Sequence, residues 1–221
     1  MRVLLADDQA LLRLGFRMAL ETQPDMEVVG EAEDGEQAVA MAAALEPDVV
    51  LMDVRMPVLD GIEATRRIVA AALPSRVLVL TTFDLDEYVY AALRAGASGF
   101  LLKSVRPADM FSGIRAVAGG DAVVAPSITR RLIDAFAERQ PDTDGPSVRE
   151  DARIAQLTAR EREVVVEVAR GRSNAEISQR LGVAPGTVKT HVARILSKLA
   201  LRDRVHVVVF AYECGLVHPG D

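Results

Sequence analysis

The sequence predicts an α/β unit, a five-stranded parallel sheet with helices on both faces, followed by a separate all-α unit of four helices. Three observations carry this reading. Over residues 1 to about 120, short β-rich runs alternate five times with helix-length stretches, the pattern of a parallel sheet covered on both sides. The stretch QPDTDGPSVRED at 140–151, rich in proline and acid, has nothing to bury and reads as a linker. Residues 153–221 carry only helical signals.

The strands are expected at 3–6, 27–32, 48–52, 76–81 and 98–101, and the helices between and after them at 10–22, 35–45, 61–72, 86–95 and 107–118. Runs such as VVLM (49–52) lack polar alternation because a parallel strand is buried on both faces. A short helix is expected at 127–138, inside a connecting segment that spans 121–152. In the tail, Thr158-x-x-Glu161 and Ser173-x-x-Glu176 are capping boxes that open two helices. Gly171 and Gly182 stop them, and Pro185 suits the first position of a third. The fourth is DRVHVVVFAYECGLV (203–217).

Half of the 221 residues are apolar, ample for a core, and no stretch is long and apolar enough to span a membrane. The start, MRVLLADDQ, turns acidic too early for a signal peptide, and the single cysteine, Cys214, fits a reducing compartment. A cytoplasmic location is expected. The net charge of −6 is uneven: residues 1–152 carry 15 Lys+Arg against 25 Asp+Glu, and the remainder 11 against 7. An acidic front with a basic tail suggests that only the tail meets a polyanion.

Every strand of the first unit that ends in a loop carries something polar there: Asp7 and Asp8 after the first, Asp53 after the third, Thr81 and Thr82 at the fourth, and Lys103 after the fifth. If the strands are parallel, these groups converge on one edge, where ligands bind in open α/β sheets. Three clustered carboxylates repel one another unless a cation sits among them, and an all-oxygen, partly hydrated set suits Mg²⁺. Taken singly, Asp7 and Asp8 could be a helix N-cap cluster, Lys103 a surface cation and Thr81 a good strand former. Together they require four coincidences at one edge.

In this order and spacing, Asp7-Asp8, D-x-x-M-P at 53–57, LTT at 80–82 and GFLLK at 99–103 resemble the receiver domain of bacterial two-component response regulators, over residues 1 to about 120. The resemblance implies a flavodoxin-like strand order 2-1-3-4-5, with Asp53 as the phosphoacceptor for a partner sensor histidine kinase. It makes Asp8, Asp53 and the backbone carbonyl of Arg55 the Mg²⁺ ligands, with Asp7 acting through water. Thr81 becomes the switch hydroxyl, Phe100 the switch aromatic and Lys103 the phosphate contact, while Arg55 and Thr82 would tune the lifetime of the phosphate. Two positions depart from the common pattern. Ser104 stands where many receivers have proline, removing the usual reason for a cis peptide, and Phe100 replaces a frequent tyrosine, leaving packing as its only means of switching.

In the tail, the helix PGTVKTHVARILSKLA has one apolar face, Val188, Val192, Ile195, Leu196 and Leu199, and an opposite face of Lys189, Thr190, Ala193, Arg194 and Ser197. Small and basic side chains on one stripe suit a major groove. The span LTAREREVV…SNAEISQRLGV…GTVKTHVARILSKL resembles the LuxR-type helix-turn-helix of the NarL/FixJ response regulators, over about 155–217. That resemblance directs Lys189, Thr190 and Ala193 to bases of double-stranded DNA, and Arg194 and Lys198 to phosphates. Ala184 departs from the serine or threonine cap frequent before such a helix. The last helix is apolar on too many sides. One face, Val207, Phe210, Ala211 and Cys214, either packs within the small unit or pairs two copies into a homodimer.

The expected protein is therefore a transcription factor and not an enzyme, phosphorylated on Asp53 to control dimerisation and DNA binding. Two rivals stand beside it. A nucleotide- or flavin-binding α/β enzyme shares the sheet topology but needs G-x-x-x-x-G-K-[ST] or G-x-G-x-x-G, neither of which occurs. A regulator of the same fold that works without phosphorylation would have no use for Asp53, Thr81 and Lys103 together.

Overall fold

In a computed structural model, residues 1–81, 86–120, 123–124 and 153–217 are described. They fall into two compact units, Met1–Ala125 and Pro126–Asp221. The helix expected at 127–138 and the linker at 140–151 lie outside the described residues, as does Thr82.

In the first unit the strands are β1 (Arg2–Ala6), β2 (Glu27–Ala32), β3 (Val49–Asp53), β4 (Arg76–Thr81) and β5 (Gly99–Leu102). The helices are α1 (Ala10–Glu21), α2 (Gly35–Leu45), α3 (Gly61–Ala70), α4 (Asp86–Arg94) and α5 (Pro107–Ala118). Each lies within two residues of its expected bounds. A two-residue strand, β6 (Val123–Val124), pairs in parallel with β5 and extends the sheet to the order β2-β1-β3-β4-β5-β6. It falls in the segment assigned to the connection, since two residues are too few to show a periodicity.

The inner strands of the sheet are buried on both faces, which is why they read as unbroken apolar runs, whereas the edge strand β2 is mostly half-buried. Val3, Leu5, Val49, Leu51, Leu78, Leu80 and Leu101 cluster with Leu20 of α1 and with Met110, Phe111, Ile114 and Val117 of α5. Their strand neighbours Leu4, Val50, Met52, Val77, Val79 and Phe100 are equally buried. On that side Gly30 stands against Met41 and Leu45 of α2, with no room for a Cβ. Asp34 and Asp60 cap α2 and α3, accepting from Gln37 N and from Ile62 N and Glu63 N. None of the described peptide bonds is cis, including that at Ser104.

The described part of the second unit has a 3₁₀ turn, Ile154–Gln156, followed by α6 (Ala159–Ala169), α7 (Asn174–Leu181), α8 (Pro185–Leu199) and α9 (Arg204–Glu213). Both capping boxes form: Thr158 and Ser173 accept from Glu161 N and Glu176 N, and the glutamates reach back. Gly171 and Gly182 take positive φ, 76° and 64°, at the ends of α6 and α7, where glycine carries no Cβ penalty. The core joins Val164, Val165 and Val168 of α6, Ile177 of α7, Val188, Ile195 and Leu199 of α8, and part of α9.

That part of α9 includes Val207, Phe210, Ala211 and Cys214, the candidate face for pairing two copies, with packing inside the unit as its alternative. All four are buried within the unit. The pairing face is therefore corrected: so small a unit has little interior, and it spends this side of α9 on its own core.

Candidate functional site

The parallel register brings the strand ends together. Ala6 lies between Ala32 and Met52, Asp53 beside Leu80, and Thr81 beside Leu102. Asp7 leaves β1, Asp53 closes β3, Thr81 closes β4 and Lys103 follows β5, all at one edge. Lys103 Nζ stands 2.8 Å from Asp7 Oδ2 and 2.9 Å from Asp53 Oδ2, with all three side chains at most 6% exposed. The Lys103 N–H donates to the Thr81 carbonyl at 2.7 Å, which fixes the start of the lysine's reach.

Asp7 is held from three directions. Its N–H donates to the Ala32 carbonyl, its Oδ1 accepts from Gln9 N at 2.9 Å, and its carbonyl accepts from Arg13 Nη1 at 2.5 Å. The N-cap of α1 is Gln9, with no side-chain cap bond, so the acidic pair is not a helix cap. Asp8 is exposed, and one oxygen each of Asp7, Asp8 and Asp53 lie within 4.8 Å of one another. Asp7 Oδ2 is buried and faces the Lys103 ammonium at 2.8 Å. An all-oxygen set with one exposed member fits a hard divalent ion that keeps several waters. Thr81 and Phe100 are buried, and Arg55 is exposed at the start of the loop after β3.

Burial pushes the Asp53 carboxyl above its usual range, and the Lys103 ammonium only partly offsets this. Burial also works against that ammonium, but the two neighbouring carboxylates outweigh it and hold Lys103 above its ordinary value. The site is thus a buried carboxylate under strain from desolvation, partnered by a fixed cation, as at reactive sites tuned by burial.

In the second unit, α7, the turn at Gly182 and α8 form a helix-turn-helix. Pro185 occupies the first turn of α8, and Ala184 precedes it without a side-chain cap. Val188, Ile195 and Leu199 are buried and Lys189, Thr190, Ala193, Arg194 and Ser197 are exposed, so the helix sorts into the two expected faces. The Thr190 hydroxyl donates to the Gly186 carbonyl at 3.0 Å. Lys198 behaves otherwise. Its ammonium donates to Glu161 Oε2 of α6 at 2.7 Å.

Residues 3–115 match the response regulator receiver domain, and residues 155–211 match the bacterial regulatory proteins of the luxR family. The chain is a response regulator. It is 43% identical to an uncharacterized transcriptional regulatory protein of Bacillus subtilis, YxjL, over 98% of this chain and 97% of that one. It is 39% identical to the transcriptional regulatory protein LiaR of the same organism, over 98% and 99%. Among solved structures it resembles the response regulator ChrA of a heme-sensing two-component system, with a TM-score of 0.53 and 32% identity over 98% of each chain. A receiver domain followed by a LuxR-type DNA-binding domain is thus the architecture of this response regulator, and among its described residues no helix is long and apolar enough to cross a membrane.

Three groups near the two sites of the response regulator escaped the sequence reading. Arg13 is buried in α1, where its guanidinium reaches the Asp7 carbonyl, Glu31 at 3.4 Å and Glu33 at 3.3 Å. Its only signal was spacing, since Arg13, Arg17 and Leu20 share one face of α1. Gly61 packs so closely behind the site that a Cβ would lie 1.9 Å from the Asp53 carbonyl oxygen. The third is Glu161, read as a cap alone.

Proposed function

We propose that the chain is a transcriptional regulator switched by phosphorylation of Asp53, with a sensor histidine kinase as phosphodonor. The observation that carries the reading is the Lys103 ammonium shared at 2.8 and 2.9 Å between Asp7 and Asp53. It supports a pocket that neutralises the oxygens of an incoming phosphoryl group. An Asp53 carboxylate oxygen attacks phosphorus, the P–N bond to the donor imidazole breaks with its electron pair returning to the ring, and an acyl phosphate remains. Mg²⁺, when bound by Asp8, Asp53 and the Arg55 carbonyl with Asp7 through water, supplies the charge that lets two anionic groups approach. Lys103 holds one phosphoryl oxygen and the Thr81 hydroxyl donates to another. Phe100 then repacks, and Arg55 and Thr82 set how long the phosphate lasts. A row of exposed apolar side chains on α1, Leu11, Leu14 and Met18, supports a protein as phosphodonor.

In the same reading, residues 1–120 form the receiver and 153–221 the DNA-binding domain, joined by 121–152, and the protein works in the cytoplasm. Lys189, Thr190 and Ala193 face base edges and Arg194 faces phosphate, with two copies pairing on the DNA after phosphorylation. The test is intact-protein mass after incubation with acetyl phosphate and Mg²⁺. Wild type should gain one phosphoryl group, lost again in hydroxylamine, and Asp53→Asn should gain none. Folded wild type with no increment would remove the phosphorylation switch and leave a DNA-binding protein of the same fold.

A further inference from the structure

The first turn of α6 holds the far ends of both helices of the helix-turn-helix. Arg160 donates to the Leu181 carbonyl at the end of α7. Glu161, its neighbour, receives Lys198 from the last turn of α8 at 2.7 Å. The Glu161 side chain is 4% exposed and the Lys198 side chain 36%. The same oxygen, Oε2, also accepts from Thr158 N at 2.8 Å and Thr158 Oγ1 at 3.0 Å. Three donors therefore converge on one buried anion, two from the capping box and one from the recognition helix.

We infer that Glu161 and Lys198 are positioning residues for DNA binding, clamping the last turn of α8 to the first turn of α6, and that Lys198 is not a phosphate contact. The inference rests on the DNA-binding reading of α8. Helix geometry agrees with it: at about 100° per residue, Lys198 projects roughly 180° from Lys189 and about 80° from Thr190, at the border of the exposed face. Energetics agree as well. Drawing Lys198 off to a phosphate would leave the buried Glu161 carboxylate without its counter-charge, held by the Thr158 donors alone, which is unfavourable. Burial raises the Glu161 carboxyl, yet Lys198 and the Thr158 donors outweigh it and hold the group down at about 2.

The clamp is tested on the full chain with Lys198→Met, Glu161→Gln, their double variant, Lys198→Arg and Arg194→Met. Two measurements are made: melting temperature without DNA, and affinity for a generic DNA duplex over a range of salt. Lys198→Met and Glu161→Gln should each lower the melting temperature, the double variant should fall little further, and Lys198→Arg should restore most of the loss. On DNA, Lys198→Met and Glu161→Gln should each give a parallel loss of roughly three- to tenfold with the salt slope unchanged, the size of a coupling between neighbours. Arg194→Met, at the position assigned to phosphate, should reduce the slope by about 0.9. The inference is overturned if Lys198→Met reduces the slope by that amount, if Glu161→Gln strengthens binding by freeing the lysine, or if the two melting losses add. Wild type that binds no duplex at low salt would remove the DNA-binding reading instead, while the melting cycle still decides whether the clamp exists.

Discussion

Lys103 Nζ stands 2.9 Å from Asp53 Oδ2, and both side chains are 6% exposed. The pair does not make the aspartate comfortable: burial still leaves its carboxyl above the usual range. A carboxylate raised in the folded state contributes stability while protonated, and that contribution is lost as pH rises through the raised value. Asp53→Asn keeps the shape and an acceptor for Lys103 while removing the buried charge. It should be more stable than wild type at pH 8 without divalent ions, by about 1 kcal/mol or roughly 4 °C. Near pH 4 the advantage should vanish. Saturating Mg²⁺ should reverse the order, since a ligand at 100 times its Kd adds about 2.7 kcal/mol to the form that binds it. Thermal melts with and without Mg²⁺ check this, and an Asp53→Asn protein less stable at pH 8 without metal would contradict it.

The loop after β3 carries its own strain. Val58 has φ = 65° and is 76% exposed, with Leu59 N donating to the Pro57 carbonyl across it at 2.7 Å. A β-branched residue in the left-handed region is a true outlier, at a cost of about 1–3 kcal/mol. Val58→Gly removes that strain and returns about 0.5–1 kcal/mol as extra unfolded-state entropy. The net expectation is a gain of about 1 kcal/mol in unfolding free energy, read as a higher denaturant midpoint. A loss would mean that the Val58 side chain makes a contact that matters more than its backbone.

These features mark where sequence reading stops. The strands were legible because burial on both faces leaves only apolar residues, and the helix starts because Thr158, Ser173 and Pro185 state them locally. The pocket was legible because parallel strands end together and each end carried a polar group. What stayed hidden depends on partners far apart in the chain or on dihedrals without a signature. Lys198 finds Glu161 across 37 residues, a partner that neither its helix nor the resemblance that directed it to phosphate could show. In α1 the cation Arg13 is buried while the apolar Leu11 and Leu14 beside it are exposed, the reverse of what residue type alone implies. For α9, apolar residues all round suggested a spare face, and only the size of the core shows where that face went.

Two glycines of the receiver domain should respond in opposite directions to the same substitution. At Gly61, a Cβ would lie 1.9 Å from the Asp53 carbonyl oxygen, a backbone atom that cannot yield without moving the site. Gly15, inside α1 and exposed, has nothing within 4 Å of a Cβ. Gly61→Ala should lose about 3 kcal/mol, at the upper end of overpacking effects, and lower Mg²⁺ affinity with it. Gly15→Ala should gain about 0.8 kcal/mol through helix propensity alone. Urea unfolding of both variants gives the comparison, and equal signs would refute the packing argument.

Ala184 offers a last test, one that separates the stability of the recognition helix from its charge. It sits at the N-cap of α8 with φ −68° and ψ 147°, a conformation suited to a cap, but its side chain cannot accept. The two helices before it are capped by Thr158 and Ser173. Ala184→Ser should let a hydroxyl accept from Gly186 N or Thr187 N and raise stability by about 1 kcal/mol. Ala184→Asp should stabilise at least as much, because a carboxylate also complements the positive end of the helix. On DNA the two must part. The N-terminal end of a recognition helix is the end that enters the groove, so at this position an aspartate sets a negative charge against the polyanion and a serine adds none. Ala184→Ser should keep wild-type affinity for duplex DNA, whereas Ala184→Asp should bind more weakly, most visibly at low salt where repulsion is least screened. Equal affinities for the two variants would place this end of α8 away from the DNA.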